Sequence, residues 1–340
     1  MRFNLTWEFF LALTTIALVG FGALTTSGFF TAFNLSQLAA GVSEKALIVL
    51  PMVLLIIARE IDLSVASILA LASVIFGTLL TAGCPLWVSV IATILLGAML
   101  GAFNGFFIVR LALPSLVVTL GTMALFRGAA YVVLGSGSIN IFPDSFLNFG
   151  VDNVGATAVP QTFLPFLLLA PVFALALQYT PVGRRIYALG ASPHAALYSG
   201  IPVNRIRFWL FVTTGAVCAL AGIVYTARLA NARANNAVGM ELDVITIALL
   251  GGVSVFGGKG KLTAVLWALV LIATVRNLLG LNQISGDAQG TVIGLLLVGS
   301  LLINNLTGSF AGIIQRTLGP GKAGAGAAPS TSRNFRRKKL

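Results

Sequence analysis

His194 is the only histidine in the chain, so histidine chemistry has one residue to work with. A metal cluster needs several ligands, and a Ser-His couple needs its base held beside a nucleophile. Cys84 and Cys218 fit neither a metal-ligand spacing nor a disulfide framework. No catalytic constellation and no metal site is expected from these residues. The Gly-rich segment VSVFGGKGK, residues 253–261, departs from the G-x-x-x-x-G-K-[ST] spacing that cradles nucleotide phosphates. ATP hydrolysis by that route is not expected.

The remaining reactive side chains sit in apolar surroundings. Arg127 falls near the middle of one apolar run and Arg276 toward the end of another. A charge at the centre of a bilayer costs about 2.5–3.5 kcal/mol on the insertion scale. Each arginine must therefore face protein or a watery path; pairing with backbone carbonyls to hold helices together explains either one equally well. Asn104 and Asn277 are neutral hydrogen-bonding groups at similar depth. They suit a hydroxyl-rich solute, and they suit contacts between helices as well. Asp62 and Asp243 each follow the pattern Glu-aliphatic-Asp-aliphatic at the start of an apolar run. The first expectation for both is helix capping, because a carboxylate there satisfies free N–H groups and meets the positive end of the helix dipole. No run of intramembrane carboxylates resembles a proton or sodium relay.

The longest charged stretch between two apolar runs is GRRIYALGASPHAALYSGIPVNRIR, residues 183–207. Arg184, Arg185, Arg205 and Arg207 bracket a small block in which Ser192 suits an N-cap, Pro193 the first helical position and Gly200 a helix stop. A helix this short is unstable alone in water and needs a surface to dock against. An ordinary loop explains the spacing as well as a docking element does.

The elements that carry these residues follow from composition. Hydrophobic residues make up 58% and charged residues 9% of the chain, against roughly 25% charged in a soluble domain. The apolar runs are continuous rather than alternating, so the expected fold class is an all-α polytopic membrane protein. About ten transmembrane helices are expected, near 8–26, 46–58, 63–82, 86–108, 115–135, 163–179, 208–227, 243–256, 262–280 and 288–306. Gly97, Gly101 and Gly105 recur every four residues on one face of the fourth, as helix-contact residues do. The net charge of +12 lies in short loops and the tail, which reads as membrane orientation and not as nucleic-acid binding. Placing both termini in the cytoplasm puts Arg59, Arg110, Arg184, Arg185, Arg205, Arg207, Lys259, Lys261 and every basic residue after 306 on that side. The opposite side keeps Lys45, Arg228 and Arg233. Glu60 to Gly77 and Glu241 to Gly257 share the same opening and a Phe-Gly ending, on opposite sides of this topology. That spacing fits an inverted internal repeat, an arrangement that places a substrate path at the repeat interface. Residues 1–306 form the expected transmembrane domain, with a loop at 180–207. Residues 307–340, rich in Gly, Ala and Ser and then basic, read as a flexible cytoplasmic tail that meets anionic lipid.

Three segments resemble one family, the ABC-importer permeases for ribose and related simple sugars. Glu60-Ile61-Asp62-Leu63-Ser64-Val65-Ala66-Ser67 resembles the family's Gly-Gly-Ile-Asp-Leu-Ser-Val-Gly signature, departing from it at Arg59, Glu60 and Ala66. The stretch from Gly183 to Ile201 resembles its cytoplasmic coupling loop, and Glu241 to Gly258 its third signature. Leu197 to Arg205 is similar to permeases for autoinducer-2 and for rhamnose. The resemblance implies a permease subunit of a bacterial inner-membrane importer for a simple sugar or sugar-like solute. Its implied partners are an ABC ATPase, a second permease as homodimer or heterodimer, a periplasmic sugar-binding protein and the bilayer. ATP and Mg would be bound by the partner, with no cofactor in this chain. Gly183, Arg184, Arg185, Gly190, Pro193, His194, Ala195, Ala196, Ser199 and Gly200 would then couple to the ATPase. Asp62, Ser64, Asn104, Arg127, Arg276 and Asn277 are the candidates for the translocation path. The alternative is a stand-alone secondary carrier of small polar solutes, against which the missing carboxylate relay counts. Deleting everything after Gly319 is expected to leave solute uptake intact at normal expression, measured in cells that carry the truncated chain.

Overall fold

A computed structural model describes residues 7–299 apart from 287 and 297. The expected basic tail, 307–340, lies outside the described residues. The described residues up to 296 belong to one compact unit, an assembly of helices.

Among the described residues the elements are helical, with two isolated β-bridges, Ile139 to Ala232 and Asn153 to Pro160. In order they are α1 Trp7–Thr25, α2 Ala32–Ile57, α3 Val65–Thr81, α4 Leu86–Arg110, α5 Ser115–Leu134 and α6 Asp144–Val151. A 3-10 turn at Gln161–Phe163 leads into α7 Leu164–Tyr179, followed by α8 Pro181–Ala191 and α9 Pro193–Tyr198. Then come α10 Val203–Leu229, α11 Met240–Leu250 and α12 Leu262–Leu281. Among the described residues, seven helical segments are long and apolar enough to cross a membrane, and α3 is a shorter apolar helix of 17 residues. The all-α polytopic class is therefore what the structure has.

Several expected boundaries move, each for a physical reason. The second span is expected to begin at residue 46, just after Ser43, Glu44 and Lys45. The helix instead starts at Ala32, capped by the Thr31 hydroxyl, which accepts from the Asn34 N–H at 3.2 Å. It runs through the polar residues because Glu44 and Lys45 find partners on other helices: Arg228 at 2.7 Å and Asp243 at 2.8 Å. The seventh begins at Val203, which brings Arg205 and Arg207 onto the helix. The eighth does not span. α11 has 11 residues, about 17 Å at 1.5 Å per residue, and the chain leaves it at Gly251 and Gly252, the latter in the left-handed region at φ +80°. The Phe-Gly ends of the matched segments consequently differ: Phe76 and Gly77 lie within α3, whereas Phe256 and Gly257 lie in a loop beyond α11. The tenth expected span, 288–306, falls partly outside the described residues.

α2 and α3 form the centre of the unit, and α10 packs along α2, α3 and α4. α1 packs on α12, and α5 on α3. The outer helices present large apolar side chains such as Ile16 of α1, Leu95 of α4 and Leu168 of α7, which suits hydrocarbon surroundings. Lipid tails are as apolar as leucine, so helices gain little by hiding from them; close packing and hydrogen bonds must hold them together. The stripe expected on α4 does this. Gly101 abuts the Phe211 carbonyl, Gly97 the Gly215 carbonyl and the Ala219 methyl, and Gly105 the ring of Phe208. Two backbones are in direct contact here, with room for no side chain between them.

A Gly101→Leu substitution is expected to cost about 1–3 kcal/mol by overpacking this seam, read as a lowered unfolding midpoint in detergent. Gly121→Ala, at a position with no neighbour within 4 Å, is expected to leave that midpoint unchanged.

Candidate functional site

The short helical block reads as expected. Ser192 caps α9, its hydroxyl accepting from the Ala195 N–H at 3.3 Å; Pro193 opens the helix; and Gly200 follows it at φ +77°. The sequence reading does not include α8, which Thr180 caps by accepting from the Val182 N–H at 3.2 Å. The Thr-Pro start at 180 and 181 is the available signal, the same kind that marks Ser192 and Pro193.

The end of α8, just before α9, is clamped to the ends of other elements. The Gly258 N–H donates to the Ile57 carbonyl at 2.8 Å. Gly190 lies against both groups, and a methyl there would overlap the Ile57 carbonyl. The Arg59 guanidinium donates to the Ala191 carbonyl at 2.9 Å, and the Tyr187 hydroxyl to the Gly260 carbonyl at 2.6 Å. The segments 57–59, 190–191 and 257–260 thus form one junction, which gathers Arg59, Lys259 and Lys261 beside the basic loop. Arg59, a departure from the resembled signature, serves this junction.

The clamp divides the expected coupling residues into two groups. Gly183, Gly190 and Ala196 are buried, holding α8 and α9 in place, and Pro193 is half-buried. Arg184, Arg185, His194, Ala195, Ser199 and Gly200 are exposed. Leu197 and Tyr198 join them at 60% and 90% exposure. The coupling residues expected from the sequence do not include these two, although both lie inside the stretch that carries the resemblance. Two adjacent large apolar residues on a short basic segment are the signal. The exposed residues of these two helices include basic side chains on α8 and large apolar ones on α9.

Beside it, Glu60 is buried in the loop between α2 and α3, with its Oε1 2.7 Å from Nε of Arg207 at the start of α10. Burial raises the Glu60 carboxyl above its ordinary value, and the Arg207 charge offsets only part of that rise.

The six path candidates do not converge on one site. Asp62, Ser64 and Asn104 form a fully buried triad. Asp62 Oδ1 accepts from the Ser64 N–H at 2.8 Å and from its hydroxyl at 2.6 Å, and the Asn104 amide donates to that hydroxyl at 2.8 Å. Asp62 therefore makes an Asx turn that shapes the entry to α3, and Ser64 takes the N-cap position. Arg127 donates to the carbonyls of Ala234 at 2.7 Å and Asn236 at 2.6 Å, which ties α5 to the loop before α11. Asn277 exchanges hydrogen bonds with Asn34 at 2.8 and 3.0 Å. Arg276 pairs with both oxygens of Asp243 at 2.9 Å, and Lys45 reaches the same carboxylate at 2.8 Å. Asp243 lies in the first turn of α11 as expected, but its oxygens serve these two cations instead of free N–H groups.

The chain matches the model of the family described as branched-chain amino acid transport system / permease component over residues 34–301. It is 34% identical over 310 residues to the D-allose transport system permease protein of Escherichia coli (strain K12), covering 90% of this chain and 94% of that protein. It is 32% identical over 312 residues to the ribose import permease protein of Haemophilus influenzae (strain ATCC 51907 / DSM 11121 / KW20 / Rd), covering 91% and 95%. It is 31% identical over 313 residues to the autoinducer 2 import system permease protein of Escherichia coli (strain K12), covering 88% and 93%. No solved structure gave a significant match.

Arg207→Ala leaves Glu60 buried without its counter-charge, a change that costs about 3–5 kcal/mol for a buried pair. A carboxyl whose folded value is raised binds a proton more readily folded than unfolded. The stability deficit of the variant is therefore expected to grow as pH rises from about 5 to 8. Thermal unfolding at a series of pH values checks this, and adding Glu60→Gln is expected to flatten the dependence.

Proposed function

We propose a function from one premise: this chain belongs to the family of branched-chain amino acid transport system permease components. It is the transmembrane permease subunit of an ABC importer for a simple sugar or sugar-like solute, and an ATPase partner drives it. The observation that carries this reading is α8, clamped at its end and presenting exposed Arg184 and Arg185, followed directly by α9 with exposed Leu197 and Tyr198. A short helix fixed at a junction of three segments can transmit a push without absorbing it, as a coupling element requires. An aromatic anchor with an apolar neighbour and a basic edge is a common composition for a protein-binding surface.

On this reading the basic end faces the cytoplasm, as the excess of lysine and arginine favours, and both termini lie there. The crossing helices form two inverted halves in a bacterial inner membrane, with the short α11 not among them. A second permease completes the path, and a periplasmic binding protein delivers the solute. The relatives' names support the solute class: allose, ribose and autoinducer 2 are small, polyhydroxylated or closely similar. The ATP site belongs to the partner, consistent with the missing phosphate loop in VSVFGGKGK.

Pull-down of the tagged chain in mild detergent is expected to bring a stoichiometric ATPase with it. Replacing both Arg184 and Arg185 with Glu, or Tyr198 with Ala, is expected to weaken that capture roughly tenfold or more while membrane insertion stays normal. A chain that comes out alone in several detergents, and takes up sugar into vesicles without ATP, would favour the stand-alone carrier instead.

A further inference from the structure

A cavity of about 490 Å³ lies between α2, α7, α8 and the first half of α10. Pro51 and Leu54 of α2, both buried, form its floor. Val172 and Trp209 stand at its margin at 57% and 55% exposure, so the cavity is a groove open to the outside of the helices. Apart from Arg185, Arg205 and Thr213, every lining residue is apolar. The Thr213 hydroxyl is satisfied within α10, donating to the Trp209 carbonyl at 2.8 Å. The two arginines are not satisfied. Both are exposed, and among the described residues neither has an ion pair or a hydrogen bond. Arg207 and Arg228, on the same helix as Arg205, each meet a glutamate at 2.7 Å. Among the described residues no carboxylate lines this groove. Arg205, Trp209 and Thr213 follow at four-residue spacing on one face of α10, so the groove runs about 12 Å along that helix. Its charged end lies in the first turn of α10 and the second turn of α8. Tyr179, at the end of α7, is 73% exposed. Tyrosine and tryptophan at one helix edge mark the level of lipid headgroups.

We propose that this groove holds an anionic diacyl phospholipid, its phosphate on Arg185 and Arg205 and part of one acyl chain between α7 and α10. A guanidinium is a planar fork of donors that takes two phosphate oxygens at once, and it stays charged. Two exposed, unpaired cations at the rim with no carboxylate in the groove favour an anion. A zwitterionic lipid would bring its own cation to the same place. The apolar walls leading away from the rim suit an acyl chain, which has no polar group to satisfy. A peptide there would lose hydrogen bonds from its backbone N–H and C=O groups, because the walls offer none. A free phosphate would use the rim and leave the groove empty. Basic pockets between membrane helices are a recurring way to hold anionic headgroups. The inference requires that the chain lie in a bilayer and does not rest on the importer reading. Arg205 is not among the residues offered to an ATPase, so changing it separates the two roles.

The full-length chain in mild detergent is mixed with equal amounts of a phosphatidylglycerol and a phosphatidylcholine that carry the same acyl chains. Native mass spectrometry then reads which lipid stays on the protein. Phosphatidylglycerol is expected to be retained at least threefold over phosphatidylcholine. Arg205→Gln is expected to lower that ratio, and Arg185→Gln with Arg205→Gln to bring it near unity. Arg110 and Arg233 are also exposed; changing both to Gln removes the same charge elsewhere and is expected to leave the ratio unchanged. Val172→Trp, at the exposed margin, narrows the groove and is expected to cut retained phosphatidylglycerol at least threefold, with the unfolding midpoint in lipid-free detergent unchanged. Glycerol phosphate in large excess is expected to displace no lipid. Equal retention of the two lipids, or an equal fall of the ratio in both double variants, overturns the proposal. Displacement by glycerol phosphate overturns it in favour of a free phosphate site. A lipid-free dimer that Val172→Trp separates overturns it in favour of a second copy of the chain in the groove.

Discussion

The packing of α10 against α4 is the constraint on which most of this structure depends. Gly97 and Gly101 of α4 lie directly against the backbone of α10 at Gly215 and Phe211. In a bilayer this contact replaces the hydrophobic drive that would hold the same helices together in water. It also sets the position of α10 relative to α2 and α3, on which α10 packs as well. The residues at the two ends of α10 then have little freedom in what they meet.

What they meet is a buried glutamate at each end. Arg207 lies 2.7 Å from Glu60, and Arg228 lies 2.7 Å from Glu44. Both glutamates are nearly inaccessible, at 5% and 1% exposure. A buried ion pair is weak support for stability, because desolvation offsets most of its attraction, but losing one partner is expensive. Such pairs act mainly as register marks: they allow α10 one depth and one rotation against α2 and the loop beyond it. The end near Arg207 joins α8 and α9 through Gly200 to Pro202, and the end near Arg228 meets Glu44 of α2.

The junction of segments 57–59, 190–191 and 257–260 explains why glycine is needed where it stands. Gly190 and Gly258 let three backbones touch, and Gly257 and Gly258 hold left-handed conformations at φ +76° and +71°. The same junction places Arg59 and the lysines of the 259–261 segment near the exposed arginines of α8.

The sequence alone determined what depends on composition and on local spacing. The apolar content required a membrane-spanning helical protein, the glycines of α4 marked a contact face, and Ser192, Pro193 and Gly200 delimited α9. Each of these depends on interactions within a few residues, or on the solvent the chain must accept. Only the tertiary structure decided which polar residues meet. Glu44 and Lys45 lie just before the expected start of the second span, and they are internal to its helix because Arg228 and Asp243 arrive from nearly two hundred residues away. Asp62 and Asp243 began from the same local pattern; one became a turn-maker with Ser64 and Asn104, the other a counter-ion for two cations. Charge pairing acts through space, and sequence spacing carries no record of which distant helix will stand opposite.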